Sequence, residues 1–360
     1  MTAVACAWHA AALRLAITGR ADATRQQRAL SDLLERGGDC APERVVAVLG
    51  RHGGCTEAEL ARAERRLAVL GGRFLLVDDE RYPVPLRAAW PELGAPVWLF
   101  AAGGPVRLAA APAVAIVGTR GPSLDGLRTA GMVATALARA GAVVVSGLAR
   151  GIDQAAHRAA LDAGGDTIAV LGTGLGVDYP AGSSTLRSRI LDHGALVTEL
   201  APGTGPRPWQ FLARNRIISG LAAATVVVEG GPTSGALQTA RLAAGQGRDV
   251  WAVPGSINAP TSQAPLALLR DGATPLTSVD DLLDSLGLRS SSRTGGAGAP
   301  EGTGLSAAAR RILGLLGPVP ATTDALVTAS RLPAPAAMAA IGELVEAGCG
   351  VTTPHGVVRA

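Results

Sequence analysis

Six short apolar runs organise the centre of the chain, beginning at residues 113, 142, 167, 195, 224 and 249. Each run spans about four to six residues, and polar-faced segments with helical character separate one run from the next. Short runs rich in Val and Ile are typical of parallel strands that are buried on both faces of a sheet. Each run leads into a turn of Gly, Ser or Thr, so the loops at the carboxyl ends of the strands can approach a ligand closely. The pattern predicts an α/β fold.

The segments before this core predict a small helical module and two edge strands. Residues 1–72 read as short helices over 10–17, 25–35, 42–49 and 57–70, with glycine pairs between them. This module suits either a DNA or protein contact of the helix-hairpin-helix or sterile-alpha-motif type, or a packing role alone. Strands are expected within 73–86 and 95–103, at an edge of the sheet because their prolines would disrupt a central strand.

The segment after the core predicts a linker and a separate small domain. Residues 287–304 are rich in Gly and Ser and read as a flexible linker, which bounds a central domain of 73–286. Residues 305–360 predict three helices and a hairpin wing, the pattern of a winged helix. The third helix carries Glu343 and Glu346 without any arginine, and phosphate contacts require cations. A protein contact or a vestigial role is therefore favoured over DNA binding for this domain.

Composition restricts the class of protein. No apolar run approaches the roughly 20 residues that a membrane helix needs, and the start of the chain lacks a signal-peptide pattern. The 4 cysteines are scattered without C-x-x-C spacing, which predicts neither zinc nor a disulfide framework. We therefore expect a cytoplasmic protein with no metal, no cofactor and no membrane insertion.

The charges are more informative than their sum of +4. All 33 basic residues are arginine, which excludes a Schiff-base lysine and a P-loop, since both need a lysine amine. Residues 73–288 hold 17 arginines against 17 acidic residues. An anion site in this domain must therefore come from the placement of a few arginines rather than from bulk charge.

The first two turns of the core offer donors for a phosphate. Gly118, Thr119, Arg120 and a second glycine follow the first run but do not complete a G-x-G-x-x-G fingerprint. The amides of the helix after this turn can receive a phosphate, and Arg120 is either a ligand contact or a solvated loop residue. The second turn, residues 146–151, places two glycines and a hydroxyl around Arg150. Asp153 is expected to cap the following helix or to orient Arg150.

An Asp153–His157 pair on that helix has the spacing of acid–base or metal chemistry. No nucleophile lies nearby in sequence, so the structural interpretation is favoured and no catalytic residue is assigned.

Aromatic and basic residues cluster after the third and fourth runs. Tyr179 follows the third glycine turn, and the next helix carries Arg187. An aromatic beside basic residues on the ligand side is a candidate base-stacking platform, although a packing tyrosine is the alternative. Residues 206–221 contain the densest cluster of aromatic and basic residues in the chain. Arg214 and Arg216 flank Asn215 at an expected helix start, where arginines are unfavourable unless an anion is bound.

These motifs resemble the DNA-processing protein A family (DprA, also called Smf). The motifs are G-T-R, S-G-L-A-R-G-I-D-Q-A-A-H-R-A-A-L, G-x-G-x-D-Y-P, F-L-A-R-N-R-I-I-S-G-L, V-V-V-E-G-G-P-T-S-G-A-L-Q-T-A and A-V-P-G-S, over about residues 73–285. The chain departs from the family pattern at residues 181–184 and 262–265, where altered loops are expected. The resemblance implies an extended Rossmann-like, doubly wound sheet that is mostly parallel, with the helical module and the winged helix at its ends.

The resemblance also implies a function: a non-enzymatic homodimer that binds single-stranded DNA, protects incoming strands in natural transformation and loads the RecA recombinase onto them. By motif, the candidate single-strand site comprises Gly118, Thr119, Arg120, Ser146, Gly147, Arg150, Gly151, Tyr179, Arg187, Phe211, Arg214, Asn215, Arg216, Ser234 and Gly235. The alternative is an enzyme of the lysine-decarboxylase-like phosphoribohydrolase type, since residues 229–231 are similar to part of its glycine-rich signature. The rest of that signature, P-G-G-x-G-T-x-x-E, is missing.

Overall fold

The structure is a computed structural model that describes Leu13, Ala16 and residues 57–77, 79–89, 95–103, 112–288, 305–316, 321–346, 350–353 and 356–359. The helices predicted over 25–35 and 42–49 lie outside the described residues, and within 10–17 only Leu13 and Ala16 are described, both helical. The chain divides into two compact units, Met1–Ser290 and Ser291–Ala360.

The first unit is built on a sheet of nine described strands. They are β1 (Gly72–Leu76), β2 (Trp98–Gly103), β3 (Ala113–Val117), β4 (Val143–Ser146), β5 (Thr167–Val170), β6 (Gly194–Thr198), β7 (Ala224–Val227), β8 (Asp249–Ala252) and β9 (Thr274–Pro275). Their spatial order is β1-β2-β6-β5-β4-β3-β7-β8-β9. Neighbours from β6 through to β9 pair in parallel, while β2 pairs antiparallel with β6 and with β1 at the edge. The mostly parallel sheet predicted from the apolar runs is confirmed.

Helices cover both faces of this sheet. The first unit has described helices at α1 (Glu57–Val69), α2 (Val84–Ala88), α3 (Leu124–Arg139), α4 (Ile152–Asp162), α5 (Ser184–His193), α6 (Pro208–Leu221), α7 (Gly235–Gly245), α8 (Gln263–Arg270) and α9 (Val279–Ser285). Buried residues of α3, α4 and α9 form one core cluster with the sheet, and those of α5, α6, α7 and α8 form the other. Among these described helices none is long and apolar enough to cross a bilayer.

The alternation of side chains along a strand divides the two cores. On β3, Val114 and Ile116 join the cluster under α3 and α4, whereas Ala115 and Val117 join the cluster on the opposite face. All four are buried, and full burial of a Val or Ile side chain contributes roughly 1.5–3 kcal/mol. Because both faces of a central strand need apolar residues, the strands read as continuous apolar runs.

The strand order reverses between β3 and β7. From β3 the chain winds outward in one direction through β4, β5 and β6, and later from β7 through β8 and β9 in the other direction. Ala115 of β3 pairs with Val145 of β4 on one side and with Thr225 of β7 on the other. Helices that follow these strands diverge at such a switch point, which opens a crevice at the carboxyl ends of the two strands.

The second unit has three helices and a two-stranded hairpin in its described residues. The helices are α10 (Ala307–Leu313), α11 (Thr323–Ser330) and α12 (Ala334–Glu346), and β10 (Gly350–Thr353) pairs antiparallel with β11 (Gly356–Arg359). Glu343 of the third helix accepts hydrogen bonds from the backbone N–H and the hydroxyl of Ser306, at 2.5 and 2.6 Å. Glu343, one of the two acids on this helix, thus holds the start of α10.

Candidate functional site

A cleft of about 790 Å³ lies at the switch point, at the carboxyl ends of β3 and β4 and beside the first turns of α6 and α7. Its lining mixes apolar side chains with hydroxyl, amide and guanidinium donors. The lining residues are Val117, Gly118, Thr119, Arg120, Ala149, Asp153, Tyr179, Pro206, Arg207, Pro208, Phe211, Leu212, Arg214, Asn215, Ile218, Ser234, Gly235, Ala236 and Thr239.

A cation and two aromatic rings lie together in this cleft. The guanidinium carbon of Arg120 is 5.8 Å from the centroid of the Phe211 ring, within the range of a cation–π contact. The ring of Tyr179 is 5.0 Å from that of Phe211 and tilted by 37°. Arg120 is exposed, and its side chain has no hydrogen bond or ion pair with any described residue. These three side chains can offer positive charge and π faces to one ligand.

A second exposed arginine of the cleft was not among the residues predicted from the sequence. Arg207 is the N-cap of α6, and its backbone N–H donates to Oε1 of Gln210 at 2.8 Å. Its side chain is exposed and lines the cleft. The signal for Arg207 was its place in P-R-P-W, directly before the proline that begins the helix.

Arg214 forms the buried floor of the cleft. Its Nη1 donates to the carbonyl oxygen of Gly147, at 2.6 Å, and also to that of Val170. Only 6% of the residue is exposed, and burial lowers the pKa of its guanidinium to about 10, against the opposing effect of Asp153. A Cβ on Gly147 would lie 2.3 Å from both terminal nitrogens of Arg214, so this close approach requires glycine. Arg214 therefore joins the ends of β4 and β5.

Asp153 holds the loop between β4 and α4. Its Oδ2 accepts hydrogen bonds from the backbone N–H groups of Gly147, at 3.1 Å, and Ala149, at 3.3 Å. Burial raises the pKa of this carboxyl group, while the charge of Arg214 opposes the rise. Gly151 ends the loop with φ of +85°, where an added Cβ would lie 2.5 Å from the carbonyl oxygen of Thr119. Asp153 thus organises the loop through backbone donors and lies next to Arg214. Of the two roles expected from the sequence, it has no bond to Arg150, and the N-cap of α4 is Gly151.

His157 has a structural environment. Its Nδ1 is 2.7 Å from the hydroxyl of Thr167, which donates to the carbonyl oxygen of Val144. The ring is fully buried, and burial lowers its pKa to about 3, so the imidazole is neutral at pH 7. The described residues contain no group of His, Cys, Asp and Glu that could hold a metal ion.

The starts of α3 and α7 differ in which groups occupy their donors. At α3 the carboxylate of Glu229 already accepts hydrogen bonds from the N–H of Ser123, at 2.9 Å, and from its hydroxyl, at 2.5 Å. The phosphate expected at this helix start would have to displace a carboxylate. At α7, Ser234 is the N-cap and Gly235 is exposed in the cleft, with its carbonyl accepting from Nδ2 of Asn215 at 3.3 Å. The Ser234 hydroxyl accepts from the N–H of Leu237, at 3.3 Å, but among the described residues no carboxylate bonds to this helix start, so it is the more open of the two.

Six of the predicted site residues do not line the cleft: Ser146, Gly147, Arg150, Gly151, Arg187 and Arg216. Ser146 is fully buried, and its hydroxyl donates to the carbonyl oxygen of Ile116 at 2.6 Å, where it joins β4 to β3. Arg150 is exposed but does not line the cleft. Arg187 lines a different cavity, beside α5.

The expected role of Arg216 is also corrected. The helix α6 begins at Pro208, so Arg214 and Arg216 lie in its middle and not at its start. Arg216 does not line the cleft and forms a two-bond ion pair with Glu199, at 2.8 and 2.6 Å. Burial lowers its pKa, but the charge of Glu199 and the hydrogen bonds to it outweigh that effect and raise the pKa overall. An acid 17 residues earlier in the chain, and not a ligand anion, is the counter-ion of Arg216.

Comparison with known proteins connects this chain to one family. The family model of DNA recombination-mediator protein A matches residues 73–287, more than half of the chain, and the DprA winged helix domain matches residues 297–344. The chain belongs to the DNA-processing protein A family. The resemblance seen in its motifs is confirmed.

Relatives with DprA names come from several bacteria. One from Mycobacterium tuberculosis is 44% identical over 66% of this chain and 64% of its own length, so the chain spans just under two thirds of that relative. The DNA processing protein DprA of Bacillus subtilis is 38% identical over 58% of this chain and 70% of its own length.

Two solved DprA structures share the fold. The X-ray structure from Streptococcus pneumoniae is 36% identical, with a TM-score of 0.61 over 71% of this chain and 86% of that one. The structure from Helicobacter pylori, described for its single-stranded DNA binding mode, is 28% identical, with a TM-score of 0.53 over 60% and 95%. The extended Rossmann-like architecture is thus that of the family.

Proposed function

We propose that this protein binds single-stranded DNA in the switch-point cleft. The observation that carries the proposal is the arrangement of Arg120 over the ring of Phe211, with Tyr179 beside it. Guanidinium groups neutralise phosphates, and aromatic rings stack on unpaired bases of any sequence. The single-stranded DNA binding mode described for the Helicobacter pylori member of the family supports the same ligand.

The charges of the cleft favour a polyanion. Arg120 and Arg207 are exposed on its rim, and Arg214 lies buried beneath. The one carboxylate among the lining residues, Asp153, accepts two backbone hydrogen bonds and lies next to Arg214. The open start of α7 adds amide donors at Gly235. Such a cleft would hold a phosphate backbone without reading its sequence.

A single strand fits better than a duplex because the aromatic faces are inside the cleft. Phe211 is half-buried between Arg120 and Tyr179, so only a base that has left its stack can reach its ring. Bases inside a duplex already stack on their neighbours, and duplex binding would use the rim arginines alone. We therefore expect a preference for single strands.

We also propose that binding is not coupled to catalysis. Glu229 belongs to the segment that is similar to part of the phosphoribohydrolase signature, and its carboxylate holds the start of α3 through Ser123. Asp153 is occupied by the loop amides. Neither acid is placed as a free general base, which supports a binding role over the alternative enzyme.

The family suggests the biological setting. We propose that the protein acts as a homodimer that protects incoming single strands in natural transformation and loads the RecA recombinase onto them. The winged helix would serve a protein contact, since Glu343 on its third helix is an acid and no arginine accompanies it on α12. A recombinase-loading assay on strands coated with single-strand-binding protein tests this part separately.

The direct experiment on the ligand is equilibrium binding of fluorescent oligo-dT and of a matched duplex across a salt series. We expect tighter binding of the single strand and a steep loss of affinity with salt. Equal affinity for both forms would refute the stacking argument. No binding to either form, together with hydrolysis of a nucleoside monophosphate, would favour the enzyme instead.

A further inference from the structure

A buried arginine outside the cleft has no bonded partner. Arg187 on α5 is only 8% exposed, and its Nη1 is buried without any hydrogen bond. Its side chain makes no hydrogen bond or ion pair with any described residue. A guanidinium stays protonated in proteins, and buried charges are otherwise paired. Arg187 therefore lacks the counter-ion that Glu199 provides for Arg216.

The surroundings of Arg187 supply further donors. A cavity of about 210 Å³ opens beside α5, where Ser184, Arg187 and Ser188 share one helix face and line it. The N-cap residue Ser183 makes no capping bond because its hydroxyl donates to Asp178 at 3.1 Å, so its side chain satisfies no amide of the first turn. Guanidinium, hydroxyl and amide donors thus meet at a helix N-terminus, which favours an anion.

The other residues that line the cavity restrict the kind of ligand that it can bind. Leu70, Leu175 and Leu196 close the cavity with apolar surface. Asp178 also lines it, but this carboxylate is exposed and does not reach Arg187 within ion-pair distance. Burial lowers the pKa of Arg187, and the charge of Asp178 only partly opposes this effect. A bound oxyanion would give Arg187 the counter-ion that Asp178 does not provide.

We propose that this cavity binds a single phosphate group through Arg187, the Ser184 and Ser188 hydroxyls and the first turn of α5. A tetrahedral oxyanion matches donors that come from several directions, and a guanidinium can bind two of its oxygens at once. The phosphate can belong to the backbone of a bound strand or to free phosphate or a nucleotide. Only the first source rests on the proposed function.

The test is a thermal-unfolding titration of the full chain with inorganic phosphate at constant ionic strength. Arg187→Met is compared with Arg189→Met, which removes the same charge from the same helix but from a 42% exposed side chain that pairs with Asp162 at 2.6 Å. At about tenfold excess over the dissociation constant, we expect the wild type and the Arg189 variant to gain roughly 3 °C in Tm. Arg187→Met should gain nothing.

Two further measurements separate loss of the phosphate site from loss of stability and identify the source of the phosphate. In phosphate-free buffer, Arg187→Met should unfold at the same or a higher temperature, because an unpaired buried charge is removed. With oligo-dT, the same variant should lower the slope of log affinity against log salt by about 0.7 if the phosphate belongs to the strand. An unchanged slope would assign the site to free phosphate or a nucleotide.

A phosphate-dependent gain in Tm that Arg187→Met retains in full would overturn the proposal. This failure is distinct from failure of the cleft, which is tested at Arg120 and does not involve α5.

Discussion

The buried guanidinium of Arg214 is predicted to support the cleft and not to contact phosphate. Replacing it with Met removes the donor that binds the carbonyl oxygens of Gly147 and Val170. The same change leaves the buried carboxylate of Asp153 without its positive neighbour. Each buried acceptor left without a hydrogen bond costs about 1–3 kcal/mol, so the two carbonyl oxygens together account for about 2–6 kcal/mol. We expect Arg214→Met to lower the free energy of unfolding of the first unit by that amount.

Urea unfolding followed by tryptophan fluorescence measures this loss for the first unit, because all 5 tryptophans precede residue 291. A milder variant is Gly147→Ala, whose Cβ would lie 2.3 Å from Nη1 and Nη2 of Arg214 and would displace the guanidinium. In the double variant Gly147→Ala/Arg214→Met, the alanine should lower the free energy of unfolding by less than it does in the wild type, since the guanidinium that its Cβ would contact is absent. Strictly additive losses would refute the contact.

Binding data separate support from direct contact. Arg214→Met should weaken oligo-dT binding while the slope against log salt stays that of the wild type, because no counter-ion release is lost. A slope reduced by about 0.7 with unchanged unfolding free energy would show that Arg214 binds phosphate directly.

Three other changes test separate parts of the molecule. Burial lowers the pKa of His157 to about 3, so the free energy of unfolding of the wild type should fall between about pH 6.5 and 3, where the unfolded state takes up a proton. At pH 4.5 this loss should be about 3 kcal/mol smaller in His157→Gln. An equal dependence of the free energy of unfolding on pH in the two proteins would contradict this. Phe211→Leu should weaken oligo-dT binding by about 5- to 150-fold without changing the salt slope, as expected for loss of one stacked base, whereas unchanged affinity would remove the ring from the site. A chain ending at Ser290 should bind oligo-dT as the full chain does, and a large loss would assign a DNA contact to the winged helix.

The strands could be predicted because each buried parallel strand needs apolar residues on both faces. Val114, Ala115 and Ile116 show this directly, since neighbours along β3 enter different cores. The sequence also placed two residues that line the cleft, because Gly118 and Arg120 come directly after such a run. The sequence did not predict the order of the strands in the sheet. It therefore did not predict that the switch point lies between β3 and β7.

The side chains of α6 show where sequence reasoning failed. The start of this helix was expected after the arginines, although Pro208 at its first position and Arg207 before it mark the true start. With the start shifted, Arg216 was taken for an anion-binding residue. Its ion pair with Glu199 joins residues far apart in the chain, and no local pattern reveals such a pairing. Arg187 was also assigned to the site from sequence. The cavity that it lines depends on how α5 packs, which no local pattern shows.

The most direct test of the cleft is the salt dependence of oligo-dT binding by Arg120→Ala. The matched control is Arg128→Ala on α3, which removes the same charge from an 81% exposed side chain that does not line the cleft. If Arg120 binds a backbone phosphate, its loss should weaken binding and lower the slope of log affinity against log salt by about 0.7, while the control matches the wild type. Affinity and slope that Arg120→Ala leaves unchanged would contradict single-strand binding in this cleft.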